Sequence, residues 1–92
     1  MNYNFEWDEE KNRLNFEKHG ISFETAQYVF ADEMHVILYD DLHSVNEDRY
    51  IAIGKVDQVL YVVHTVRSER IRIISARIAT EAERRIYYDG LL

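Results

Sequence analysis

Cysteine is absent from the 92 residues, and so is proline. Without cysteine there is no disulfide framework, no thiolate nucleophile and no Cys-based zinc site. Glycine occurs only at 20, 54 and 90, and no Gly/Ser-rich or Pro-rich linker divides the chain. Long apolar runs are missing as well. The longest, Val59–Val63, lies between Gln58 and His64, far short of the roughly 20 apolar residues that span a bilayer. Met1-Asn2-Tyr3-Asn4-Phe5-Glu6 offers neither the basic nor the apolar part of a secretory signal. What is present, 47% apolar and 30% charged residues, is a globular mixture. These features predict one domain over residues 1–92, no membrane segment and a cytoplasmic location.

The formal charge of −6 argues against a nonspecific nucleic-acid binder. The two halves differ, however. Residues 1–48 carry 3 basic and 12 acidic side chains, whereas residues 49–92 carry 8 basic and 5 acidic ones. Seven of those eight are arginines: Arg49, Arg67, Arg70, Arg72, Arg77, Arg84 and Arg85. Arginine's rigid fork of donors suits phosphate. The pattern therefore reads either as solvated strand and helix faces or as an anion site built by the second half.

The chain reads as helix, helix, four-strand meander, helix. Asp8 is a good N-cap, Glu9 and Glu10 suit a first turn, and Gly20 supplies a left-handed stop after Lys18-His19. Ser22 caps a second helix whose Phe23, Ala26, Val29 and Phe30 share one face. Phe5-Glu6-Trp7 is a short strand or a lead-in segment. Strands are predicted at His35–Tyr39, Arg49–Gly54, Val59–Arg67 and Arg70–Ser75, joined by short gaps that imply antiparallel hairpins. Thr80-Glu81-Ala82-Glu83 has the form of a capping box and opens a C-terminal helix with Ala79, Ala82 and Ile86 as its apolar stripe. Helices segregated from antiparallel strands make an α+β class.

Two places carry candidate chemistry. Lys18-His19 puts an imidazole beside a fixed ammonium at a helix end, which suits either phosphodiester chemistry or a simple C-cap cluster. On the last strand Arg70 and Arg72 share one face and Ile71 and Ile73 the other, while Ile73-Ile74 breaks the alternation and implies a bulge or the strand's end. Arg77 then falls just before a helix N-terminus, where anions are favoured. Its plain alternative is pairing with Glu83 or Asp32. Asp40-Asp41-Leu42-His43 reads as a polar loop rather than a divalent-ion site, and no P-loop, G-x-S-x-G or Rossmann glycine pattern is present.

Two blocks in register point further. The first is Phe5-Glu6-Trp7-Asp8, Lys11, Asn15, Lys18-His19-Gly20-Ile21-Ser22-Phe23-Glu24 and Ala26. The second is Arg72-Ile73-Ile74-Ser75-Ala76-Arg77, Ala79-Thr80, Glu83-Arg84 and Tyr87. Between them stand Phe30-Ala31-Asp32, Glu47-Asp48-Arg49, Ile53-Gly54 and Thr65-Val66-Arg67. Over almost the whole chain this resembles the BrnT family of type II toxins. One departure is Val66, where that family often has an acid.

The resemblance implies a RelE-like fold, with two N-terminal helices packed on a four-stranded antiparallel sheet and a C-terminal helix. It implies a ribonuclease toxin that inhibits translation and growth. It also implies neutralisation by a BrnA-like antitoxin in a two-plus-two heterotetramer, which touches operator DNA only through the antitoxin. The mechanism it suggests is metal-independent RNA cleavage by the 2′-OH, a group that DNA lacks. Lys18, His19, Arg49, Arg67 and Arg77 are then the candidate catalytic residues. His19 would transfer protons, and Lys18 and the arginines would clamp phosphate. Arg72 is a candidate RNA-backbone contact, and no metal or cofactor is expected. The competing reading is a non-catalytic protein-binding module that dimerises a DNA-binding partner as a co-repressor.

Overall fold

The structure, a computed structural model, describes residues 3–90. Asp8 has extended backbone and turns its carboxylate onto the Lys11 amide at 3.1 Å, which starts α1, Glu9–His19. Gly20, at φ 74°, ends it by donating its amide to the Phe16 carbonyl, a backbone state cheap only for glycine. Ser22 caps α2 through the Thr25 amide. The second helix is shorter than the sequence predicts. α2 covers only Phe23–Ala26, and the chain then tightens into a 3-10 turn over Gln27–Ala31. The aromatic and β-branched run Tyr28-Val29-Phe30 holds an α-helix poorly. The predicted apolar face survives, because Phe23, Ala26, Val29 and Phe30 are all buried.

Five strands follow one another as β1 (Asn4–Glu6), β2 (Val36–Tyr39), β3 (Tyr50–Val56), β4 (Gln58–Arg67) and β5 (Arg70–Ile78). Their order across the sheet is β1-β5-β4-β3-β2. This corrects the four-stranded antiparallel expectation. β2 to β5 are the predicted meander, but β1 adds a parallel edge beside β5, with Asn4 opposite Arg70 and Glu6 opposite Arg72. No local turn announces such a pairing, because a parallel partner must come from far along the chain. The β4–β5 hairpin turns on Ser68 and Glu69, at φ 47° and 67°, the positive pair that a two-residue turn of this hand requires. α3, Glu81–Asp89, opens with the predicted capping box: Thr80 accepts from the Glu83 amide, and Glu83 accepts from the Thr80 amide.

The helices cover both faces of the sheet. On one face α1, α2 and the 3-10 turn lie over Ala52, Leu60, Val62, Ile71, Ile73 and Ala76. Asn15 fastens α1 there: its side-chain amide donates to the Ile21 and Ala76 carbonyls at 2.9 and 2.8 Å and accepts the Ala76 amide at 3.2 Å. On the other face α3 places Tyr87 against Ile51, Ile53 and Val59. Among the described residues no helix is long and apolar enough to cross a membrane.

Candidate functional site

The α3 face of the sheet is where the arginines gather. In β4, alternation puts Tyr61, Val63, Thr65 and Arg67 on this face. In β5, Arg70 and Arg72 lie opposite Arg67 and Thr65. The register then slips. His64 pairs with Ile73 and Val63 with Ser75, which leaves Ile74 as an extra residue. This is the bulge that the broken alternation allowed, and the strand does not end there but runs on to Ile78. Arg77 is returned by it to the same face, opposite Tyr61.

Each of three arginines meets a carboxylate. Arg72 donates to Glu6 at 3.0 Å and Arg67 to Glu47 at 3.1 Å. Arg77 is held most firmly, donating from Nη1 to Glu83 Oε1 at 2.7 Å and from Nη2 to Oε2 at 3.0 Å. Its guanidinium lies 3.9 Å from the centre of the Tyr61 ring, a cation–π distance. Of the two acids that the sequence offered Arg77, Glu83 is the one used. Asp32 instead accepts from the Tyr87 hydroxyl and from the Lys55 and Met34 amides. Burial pushes the Glu83 carboxyl up, but the bonds from Arg77 and the Thr80 amide outweigh it and hold it below the usual carboxylate range. The same pair holds the Arg77 guanidinium above its ordinary value.

Arg49 and Arg67 line one open cleft of about 580 Å³ with Leu42, His43, Val45, Asn46 and Glu47. Arg49 Nε is buried there without a hydrogen-bond partner. The cleft wall is the segment 40–49, and Ser44 draws it closed by accepting the Arg49 amide at 2.8 Å and donating to the Asp40 carbonyl at 2.6 Å. Within that wall His43 Nδ1 lies 3.0 Å from Asp40 Oδ2. The sequence treated this segment only as a polar loop. The signal it carried was the Asp-x-x-His spacing, which lets Asp40 accept the His43 amide in one turn.

The five predicted catalytic residues and Arg72 therefore divide into two groups. Arg67, Arg72 and Arg77 share the α3 face, and Arg49 lines the cleft beside Arg67. Lys18 and His19 end α1, which is fastened to the opposite face through Asn15 and Ala76. Among the described residues, no hydrogen bond or ion pair joins Lys18 or His19 to any of the four arginines. Nor do three His, Asp or Glu side chains converge there as a metal site requires.

Comparison with known proteins gives the geometry a family. The family model described as the ribonuclease toxin BrnT of type II toxin–antitoxin systems matches residues 7–83. The chain belongs to the BrnT family. Its fold matches the crystal structure of the ribonuclease toxin BrnT from Brucella abortus, with a TM-score of 0.67 and 26% identity over 86% of this chain and 99% of that one. Among curated proteins no match is found. The α+β architecture with three helices and a five-stranded mixed sheet is thus the BrnT architecture. The matched span contains Arg49, Arg67, Arg72 and Arg77 as well as Lys18 and His19.

Proposed function

We propose that this BrnT chain, acting as one domain, is an endoribonuclease whose α3 face holds the phosphate being cut. The single observation behind this reading is that Arg67, Arg72 and Arg77 emerge on one face, each oriented by a carboxylate, with Arg49 beside Arg67 in the adjoining cleft. In the reaction the ribose 2′-oxygen attacks the adjacent phosphorus, the bond to the next 5′-oxygen breaks, and a 2′,3′-cyclic phosphate remains. Negative charge grows on the phosphorane oxygens, where fixed arginines are most effective because they need no reorganisation. Arg77 is the best placed for this. Tyr61 supports its flat face and Glu83 its edge, which fixes the plane of the guanidinium. With that charge supplied by arginines, the cleavage is read as metal-independent. Lys18 and His19, the sequence's candidates for phosphate contact and proton transfer, end α1 away from this face, so in this reading they meet a neighbouring stretch of the RNA rather than the phosphate being cut.

Cutting RNA in this way would inhibit translation and growth. The partner that keeps the toxin silent is read as a BrnA-like antitoxin in a two-plus-two complex that reaches operator DNA only through the antitoxin. The 12 acidic side chains among residues 1–48 favour a basic docking segment.

The deciding experiment incubates the chain with RNA and with DNA of the same sequence in excess EDTA, beside Arg77→Ala purified identically. Cutting of RNA alone, with 2′,3′-cyclic ends and loss in the variant, is the expected result. No cutting, either of free RNA or on translating ribosomes, would favour the non-catalytic co-repressor module instead.

A further inference from the structure

A 2′-hydroxyl must lose a proton as it attacks, and arginine is a poor acceptor because it stays protonated. From the cleft geometry we infer that His43, oriented by Asp40, is the general base of the cleavage, an inference that rests on the ribonuclease reading above. His43 lines the same cleft as Arg49 and Arg67. Its Nδ1 faces Asp40 Oδ2 at 3.0 Å and Oδ1 at 3.2 Å, so the carboxylate accepts Nδ1–H and leaves Nε2 as the acceptor. Asp40 is itself held. Its amide donates to the Arg49 carbonyl at 2.9 Å, and Ser44 ties its carbonyl to the same residue's amide. The dyad and Arg49 are therefore locked into one unit. The ring remains open to substrate, with the His43 side chain 62% exposed while that of Asp40 is 12% exposed.

The charged groups around His43 are Asp40, Glu47 and Arg49 on its own segment and Arg67 from β4. This is the composition that the reaction needs: an imidazole acceptor next to positive charge for the phosphorane. His43 Nε2 takes the 2′ proton as the O2′–P bond forms. The P–O5′ bond breaks, and the 5′-oxygen takes a proton from water. The imidazolium then returns its proton to solvent, so the base is regenerated with no change of oxidation state.

The test uses the full chain and a short single-stranded RNA under the conditions in which the wild type cuts. His43→Ala should lower kcat by about 100-fold or more, the usual span for a lost general base. KM and the melting temperature should hardly change. Added imidazole should restore part of the rate, and the acid limb of the wild-type pH–rate profile should vanish. Asp40→Asn keeps an oxygen for the His43 amide but no longer accepts as a carboxylate, so it should lower kcat less than His43→Ala does. His43→Ala within twofold of wild type and with its acid limb intact would overturn the inference and leave the arginine ribonuclease standing. A loss without imidazole rescue and with the limb retained would overturn it too. A wild type that cuts no RNA at all would remove the ribonuclease reading and this inference with it.

Discussion

Arg72 and Arg77 share one face of β5 although their numbers differ by an odd step, which in a regular strand would place them on opposite faces. Ile74 is the reason. As the unpaired residue of the bulge it shifts the pleat by one, so that Arg77 comes to lie over Tyr61 rather than under α1. The bulge is thus the local device that assembles the arginine face.

Because Arg77 is fixed by a two-point contact, charge alone should not replace it. Arg77→Ala is expected to lower RNA cleavage by about 100-fold or more. Arg77→Lys should recover little of this, since an ammonium cannot reproduce the fork across Glu83. Single-turnover cleavage rates, with circular dichroism to confirm the fold, check both.

Tyr87 donates to Asp32 from beneath α3, and burial together with that bond pushes its hydroxyl up to about 12. An unfolded phenol loses its proton near pH 10. Above that pH the unfolded state binds fewer protons than the folded one, so stability should fall from about pH 10 to 12. Tyr87→Phe should cost about 1.5–3 kcal/mol at neutral pH, as for a hydrogen bond to a charged group, and should flatten this alkaline loss. Urea unfolding across the range gives both values.

His64 carries the opposite sign at the acid end. Its ring is buried beside Phe30 and Tyr50, and burial pushes its imidazole down. The unfolded chain takes up this proton near pH 6.5, while the folded chain resists it. Stability is therefore present above that pH and declines as the pH falls below it, by at most about 1.4 kcal/mol per pH unit for this one group. In His64→Gln that share of the slope should be absent, as denaturant unfolding between about pH 7.5 and 5 would show.

Gly54 marks a close approach rather than a turn. A Cβ at this position would stand 2.7 Å from Val29 Cγ1 and 3.1 Å from the Val29 carbonyl oxygen. The 3-10 turn would have to lift from β3, so Gly54→Ala should cost about 1–3 kcal/mol as an overpacked core does. A drop in the urea midpoint at unchanged m-value would confirm it.

Much of this fold is legible wherever the signal is local. Asp8, Gly20, Ser22 and the Thr80–Glu83 box bound the helices where the structure has them. Tyr50–Val56, Gln58–Arg67 and Arg70–Ile78 lie close to their predicted spans. β1 is not legible as a parallel edge, because three residues carry little pattern and Phe5 finds its neighbour at Ile71. The site divides in the same way. Arginines suited to phosphate can be read from residue type. Which acid orients each, and that Ile74 brings Arg77 round, depends on contacts and register that no spacing reveals. The segment from Asp40 to His43 is legible as a polar loop, but the pairing of its two ends and the cleft around it are not, since an irregular segment has no periodicity to read.

The parallel edge also sets an order of events during synthesis. β1 emerges first, yet its sheet neighbour is Arg70–Arg72, and Asn15 on α1 waits for Ala76. Loops of this length must close before either contact contributes, which delays folding. A nascent chain therefore carries Glu6 without Arg72, and α1 without its strand, until β5 has been made. The arginine face does not exist on any intermediate that lacks β5 and Glu83, so it is assembled late, after the elements that flank it.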